Sequence, residues 1–553
     1  MPDTFDVVVV GSGHNGLVAA AYLARAGLSV VVLERNPVAG GAVASEELTE
    51  PGFVHDTFSS WHPLFKLSGA WAELGGELQE RGLRYCETPA ATTANVLEDG
   101  AATFAHRDAE QTAEGLDPRD RATYLSEMER FGSLIGHVGP LLGTELYSGA
   151  AAAGAFKLAR SLRVRGGLEF GSELASSARA WFETRFAGRE VGDLYAPWSL
   201  HTGIPPDGAG SAFQVLAIAG SLHAVGLPVV SGGAVGFVRA LERLICDHGG
   251  QVRTGADVEQ IAVSAGRASG AIVSGGELVR ARRAVVANTT PTQLYGRLLP
   301  ADAVAPQALA QGRQFRYSPR AGMQIHVSLS QPLRWRDARL NEVPIVHLSG
   351  GERHVSLACA QAAAGLLPAS PTVVVGQPAT VDPSRAPDGA GVLWIQLQQV
   401  PYAPAGDAAG ELGVGDGSWT PELEQAFTER VLAKLEPHVE NWPAARGTIT
   451  ALSPVELERR NCNLVRGDIY AGDCELGQSY AWRPLPSFGS HRTPLPGLYQ
   501  CGASTFPGPG LNAASGRIVA LSIIAGESRL RRAAARLARA RRLLRAAGSG
   551  WGS

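Results

Sequence analysis

Val7-Val8-Val9-Val10-Gly11-Ser12-Gly13-His14-Asn15-Gly16 opens the chain; a helix-patterned run follows to Gly27, and Ser29-Val30-Val31-Val32-Leu33-Glu34-Arg35 then leads to Gly40-Gly41. The order is buried strand, glycine turn, helix and a second strand ending in an acid, which predicts a bound dinucleotide. Gly11 permits the tight turn, and Gly13 lets the backbone approach a pyrophosphate whose charge faces the helix N-terminus. Gly16 lets that helix pack closely on the sheet. Glu34, roughly 20 residues on, is placed to accept hydrogen bonds from a ribose hydroxyl, and its charge would repel a 2′-phosphate. A glycine-rich turn alone occurs in many α/β proteins; here the strand, helix and acid all stand around it. Arg35 and the second glycine turn at Gly40-Gly41 suit a longer ligand, which points to FAD rather than NAD.

Composition narrows the class further. The 553 residues are 45% hydrophobic and 18% charged with a net charge of −3, the balance of a globular enzyme and a poor one for nucleic acid. The six cysteines are scattered without a CxxC pair, so reduced thiols are expected and no metal site. Arginine-rich, alanine- and glycine-rich usage suggests a GC-rich bacterial coding sequence. Met1 to Asp6 runs straight into a strand and resembles no targeting peptide, and no apolar run is long enough to span a bilayer, so a cytoplasmic location is expected.

Residues 110–225 are alanine-rich and helical in pattern, the mark of an inserted region. Strand and helix alternation returns at Leu227 to Gly233 and continues through Asp257-Val258-Glu259 to the buried-strand run Ala284-Val285-Val286-Ala287. Residues 300–445 form a second insertion. In it Met323-Gln324-Ile325-His326-Val327-Ser328-Leu329 alternates apolar and polar residues and predicts a sheet with one buried face, covering a cavity. Ala403 to Ser418 reads as a mobile surface loop. Pro496 to Gln500 is a strand entering a turn at Gly502, followed by a helix from near Leu511-Asn512. The expected fold is α/β: a discontinuous Rossmann-type domain of the glutathione-reductase kind from residues 1–110, 226–300 and 446–527. An α+β substrate domain comes from 111–225 and 301–445, and a basic tail from 528–553.

The three nucleotide-binding segments together resemble the FAD-dependent phytoene desaturase-related oxidoreductases, the group of carotenoid desaturases, ketolases and isomerases, and more distantly the amine oxidases. The motif Gly13-His14-Asn15-Gly16 carries the likeness, with Pro51-Gly52-Phe53, Asp56-Thr57, His62-Pro63-Leu64, Ala196-Pro197-Trp198, Leu200-His201 and Ser211-Ala212-Phe213. Ser453-Pro454, Leu457-Glu458-Arg459, Gly467-Asp468-Ile469 and the stretch from Arg492 to Arg517 complete it, so it spans nearly the whole chain to about Ala525. The resemblance implies that Gly11, Gly13, His14, Asn15, Gly16, Glu34, Arg35, Gly40 and Gly41 hold the ADP half of FAD. It places Val258 at the adenine through its backbone, Gly502 and Ala503 at the ribityl and pyrophosphate, and the helix near Leu511 and Asn512 at the flavin O2. A helix N-terminus there favours negative charge on the reduced ring. Pro509 and Asn512 depart from the glycine, serine or threonine usual in the family.

A flavin asks for little beyond positioning and an acceptor for any leaving proton. His62 and His201 are the candidate acceptors; His62 also fits a turn histidine satisfied by backbone, and His201 fits packing beside Trp198. Trp61, Trp198 and His326 are candidates for the substrate pocket, with core packing the competing role for the tryptophans. No second GxGxxG follows, so reoxidation is expected by oxygen or a quinone rather than by a separate NADPH site. The expected reaction is hydride transfer from a carbon to flavin N5, introducing a double bond in an apolar or elongated substrate. The competing readings are an oxidase of a smaller amine or alcohol, and a flavin-binding protein without turnover. The arginines of the tail around Leu530, Leu537 and Leu544 fit either a solvated terminal helix or one lying on an anionic membrane.

Overall fold

A computed structural model of the protein describes residues 3–526. Its first sheet is built on Thr4–Val10, which pairs in parallel with Val30–Leu33 on one side and Leu278–Ala287 on the other. Gln251–Arg253 extends it beyond Val30–Leu33, and Leu498–Gln500 pairs in parallel with the end of Leu278–Ala287. Val10 stands beside both Leu33 and Ala287 in register, so the strands end together. Their following residues Gly11, Glu34, Asn288 and Cys501 therefore meet along one edge, the carboxyl-end crevice where open parallel sheets bind ligands.

The unbroken valine runs follow from burial on both faces. Val7, Val9, Val30 and Val32 share a core with the helices His14–Arg25 and Val235–Asp247; Val8, Val10, Val31 and Leu33 share another with the hairpin Val258–Ser264 and Arg267–Val273. Val258 thus begins its strand.

The second sheet runs in the order Arg446–Leu452, Ala321–Leu329, Gly391–Val400, Val373–Gly376, Ile345–Leu348, Ala91–Val96 and Ala102–His106. Its outer strands correct the expected boundaries. Residues 91–106 and 446–452, assigned from sequence to the nucleotide-binding segments, complete this sheet instead. The parallel pairing of Ala91–Val96 with Ile345–Leu348 joins positions about 250 residues apart, beyond any local pattern.

Nor does Ala321–Leu329 have an open face: all nine residues are buried. Met323, Ile325, Val327 and Leu329 share a core with Phe427 and Val431 of the helix Pro421–Leu435. The polar residues face a second layer, where Ser328 Oγ donates to Glu50 at 2.6 Å and the His326 ring meets His55 edge-on at 5.2 Å. The expected mobile loop is likewise pinned, because the Asp407 carboxylate receives Arg430 at 2.6 and 2.7 Å and the amides of Glu411 and Leu412.

Helices Arg121–Leu142, Glu190–Leu200 and Ser211–Val225 supply the core of the helical region. A buried guanidinium ties the nucleotide-binding segments to the insertion: Arg385 donates to Asp56 at 2.6 Å, Asp382 at 2.9 Å and the Val230 carbonyl at 2.9 Å. Among the described residues no helix is long and apolar enough to cross a membrane. The basic tail at 528–553 lies outside the described residues.

Candidate functional site

One cavity of about 280 Å³ follows the crevice, close to the lower limit of small-molecule sites. It begins at Glu34, Val258 and Arg297, passes Gly11, Gly13 and Gly41, and ends at Ser59, His201, Tyr470 and Leu511. At its middle lies the N-terminus of His14–Arg25. No side chain caps that helix and its first turn holds no acid; Leu17 is the first residue whose amide bonds back, to the Gly13 carbonyl. Among the described residues the amides of His14 and Asn15 have no partner, so they can meet an anion in the cavity.

Ser12 and Asn288, which the sequence reading did not single out, hold this cradle in shape. Glu34 Oε2 accepts from the Ser12 amide at 2.9 Å and its hydroxyl at 2.6 Å, and Oε1 from the Asn36 amide at 2.9 Å. Ser12 Oγ in turn accepts from the Gly40 amide at 3.0 Å, joining the first glycine turn to the second. A carboxylate offers about four acceptor sites; three are used, which leaves Glu34 about one for a ribose hydroxyl. A Cβ on Gly13 would stand 2.7 Å from Asn288 Nδ2, one on Gly41 3.0 Å from the Gly13 Cα, and one on Gly16 2.4 Å from the Gly11 carbonyl oxygen. Backbone alone can line this stretch. The signal for Asn288 was its place directly after a buried central strand; Ser12 carried none beyond lying inside the motif.

The other expected cofactor residues divide into lining and supporting positions. His14, Asn15, Arg35, Val258, Gly502, Ala503 and Leu511 line the cavity. Burial pushes His14 down to about 4, against the Gly510 carbonyl, so it is neutral at pH 7 and does not serve as a phosphate-binding cation. Asn15 Oδ1 accepts from the Gly516 amide at 3.0 Å, locking the two helix starts together. Arg297 donates to the Val258 carbonyl at 3.3 Å and to Asp257 at 2.9 Å, bounding the cavity at the Glu34 end. Gly16, Gly40 and Asn512 do not line the cavity. Asn512 Oδ1 accepts from the Ala514 amide at 2.9 Å, and the helix spans 514–526, starting later than read because this side chain caps it. The uncapped amides, the all-backbone cradle and the acid at one end fit the pyrophosphate and adenosine of FAD.

The candidate catalytic and pocket residues separate sharply. His201 lines the cavity just after the helix Glu190–Leu200, where the Tyr470 hydroxyl donates to the Leu200 carbonyl. Its Nε2 lies 3.0 Å from His347 Nε2, and the Trp198 ring lies 4.4 Å away, behind it rather than on the cavity surface. Burial pushes His201 down to about 3. His62 is not on the cavity: its Nδ1 bonds Tyr85 at 2.9 Å, its amide donates to the Pro228 carbonyl, and its ring meets Phe237 edge-on. Trp61 bridges to Val229, and His326 turns to His55. Neither reaches the cavity, because each is claimed by the layer packed against it.

Fold and cavity together define a dinucleotide-binding class in which the Rossmann-type sheet is joined to a second seven-stranded sheet. A family model described as an NAD(P)-binding Rossmann-like domain matches residues 9–77. The chain is 27% identical to pyridine nucleotide-disulfide oxidoreductase domain-containing protein 2 of Rattus norvegicus, over 93% of this chain and 92% of that one. It is 26% identical to one of the subunits of the limonene dehydrogenase of Castellaniella defragrans, over 91% of each chain. To the all-trans-zeta-carotene desaturase of Myxococcus xanthus it is 26% identical, over 91% of this chain and 90% of the other. Among solved structures, a triple mutant of putrescine oxidase superposes with a TM-score of 0.59 at 17% identity, covering 94% of this chain and 99% of that one. The likeness to the dehydrogenase and desaturase relatives therefore runs through most of the chain, and the likeness to putrescine oxidase is one of fold.

Proposed function

We propose that the protein is an FAD-dependent dehydrogenase that takes hydrogen from an apolar or elongated metabolite and leaves a new double bond. The observation that carries this reading is the continuous cavity leading from Glu34 and Val258, past an uncapped helix N-terminus, to a wall where His201 is backed by Trp198. Bound there, FAD supplies a hydride acceptor at N5. The chain would hold the adenosine end with Glu34 and the Val258 backbone, and the pyrophosphate with the amides of His14 and Asn15. Relatives named for limonene and zeta-carotene support a hydrocarbon-like substrate. Oxygen or a quinone is the proposed final acceptor, since the chain has no second glycine-rich nucleotide motif.

Anaerobic mixing of the purified yellow protein with limonene, zeta-carotene and putrescine tests the reading. Bleaching of the flavin by a hydrocarbon is the expected result. Bleaching by putrescine alone replaces it with amine oxidation, flavin that no probe reduces favours a binding role without turnover, and a protein without flavin removes all three.

A further inference from the structure

Loss of a hydride from one carbon leaves a second hydrogen to depart from its neighbour as a proton, so the reactive end needs an acceptor. We propose that His201 is that acceptor, through Nδ1, and that His347 is the residue positioning it. The proposal rests on the dehydrogenase reading above.

Three observations support it. First, Nε2 of His201 faces His347 Nε2 at 3.0 Å, which leaves Nδ1, without a partner among the described residues, as the ring nitrogen for the cavity. Second, a bond between two neutral imidazoles needs one N–H and one lone pair, and the surroundings of His347 select which. Ile345–Leu348 pairs in parallel with Ala91–Val96, which sets the Ala94 carbonyl beside the His347 ring. Because Nε2 is turned to His201, that contact falls to Nδ1, in a geometry short of a full hydrogen bond. His347 then presents its Nε2 lone pair, His201 donates Nε2–H to it, and the lone pair of His201 Nδ1 points to the cavity. Third, the Trp198 ring lies 4.4 Å from the His201 ring and 5.0 Å from that of His347. An indole at that distance stabilises an imidazolium without adding a carboxylate to the reactive end.

The step balances. The substrate C–H bond facing His201 breaks, its proton goes to Nδ1, and its electron pair becomes the second bond of the alkene as the neighbouring carbon gives up hydride to FAD. The proton leaves to solvent once product departs. Burial holds both rings neutral well below pH 6.5, so the Nδ1 lone pair is available throughout the physiological range.

The test uses the full chain, flavin-loaded and labelled with 15N-histidine. Long-range proton–nitrogen spectra, with the His201 signals identified by their loss in His201→Gln, are expected to show the Nε2–H tautomer. That preference should vanish in His347→Ala and persist in His347→Gln, whose amide reaches the Nε2 position. Rapid anaerobic flavin reduction by whichever hydrocarbon bleaches the wild type should slow roughly 10²- to 10⁴-fold in His201→Gln, with flavin content unchanged. It should slow less in His347→Ala, at an unchanged half-saturating concentration, and recover in His347→Gln. An Nδ1–H tautomer at His201, or reduction of His201→Gln within about threefold of wild type, overturns the proposal. If no probe bleaches the wild type, the dehydrogenase reading fails, and the tautomer measurement still decides whether His347 sets the proton on His201.

Discussion

Mild acid should destabilise this protein well before its carboxylates titrate. His55, His62, His326 and His347 are 1%, 0%, 0% and 0% exposed. Burial pushes His55 down to about 4 in spite of neighbouring Asp56, His62 to about 3, and His326 and His347 well below the ordinary 6.5. His55 Nδ1, His62 Nε2 and both nitrogens of His326 are enclosed without a full hydrogen bond, so an added proton would be poorly satisfied there. Above pH 6.5 neither folded nor unfolded chain holds these protons and stability is flat. As pH falls below 6.5 the unfolded chain binds protons that the folded one refuses, and stability is lost. At pH 5.5 the loss is about 1.4 kcal/mol per ring, or about 5–6 kcal/mol for the four, comparable with the ~5–15 kcal/mol that holds a typical domain folded. Urea unfolding of the flavin-loaded protein at pH 7.5 and 5.5 reads the difference. Potentiometry at pH 5.5 should also find roughly 3–4 protons taken up on unfolding by these rings. An unchanged urea midpoint with uptake below about one proton would refute the reasoning, since the rings would then be charging inside the fold.

Three further outcomes are expected. Replacing Arg385 by Met strands Asp56 and Asp382 as buried, unpaired carboxylates, which should cost about 3–5 kcal/mol in denaturant unfolding; a loss under about 1 kcal/mol would mean water replaces the guanidinium. Glu34→Gln turns an amide NH2 or a weaker oxygen toward the Ser12 and Asn36 donors and removes the charge from any ribose bond. Flavin affinity should then fall about tenfold or more, as read by fluorescence on titrating the apoprotein; equal affinity would count against Glu34 as the adenosine acid. The membrane reading of the basic tail predicts that deleting residues 528–553 abolishes flotation with anionic liposomes, whereas equal recovery ends that reading.

The opening motif was legible because its information is local. A valine run, three glycines at fixed spacing and an acid at the end of the next strand each describe backbone within a few residues, and the Ala284 to Asn288 and Gly502 segments carry the same kind of mark. So the strand, the turn and a dinucleotide were determined by the amino-acid sequence itself. Which side chains face the ligand was not. His62 and His201 look equivalent in sequence, each next to a tryptophan or one turn from it. Tyr85 and Phe237 enclose the first, while His347, 146 residues away, orients the second toward the cavity. Strands 91–106 read as part of the nucleotide-binding segments and pair instead with Ile345–Leu348. Glu34 reads as a ribose acid, and only the folded turn reveals that it spends three of its acceptor sites on Ser12 and Asn36. Periodicity and turn chemistry act over a few residues, whereas the direction of a ring and the occupancy of a lone pair depend on neighbours that folding brings from far along the chain.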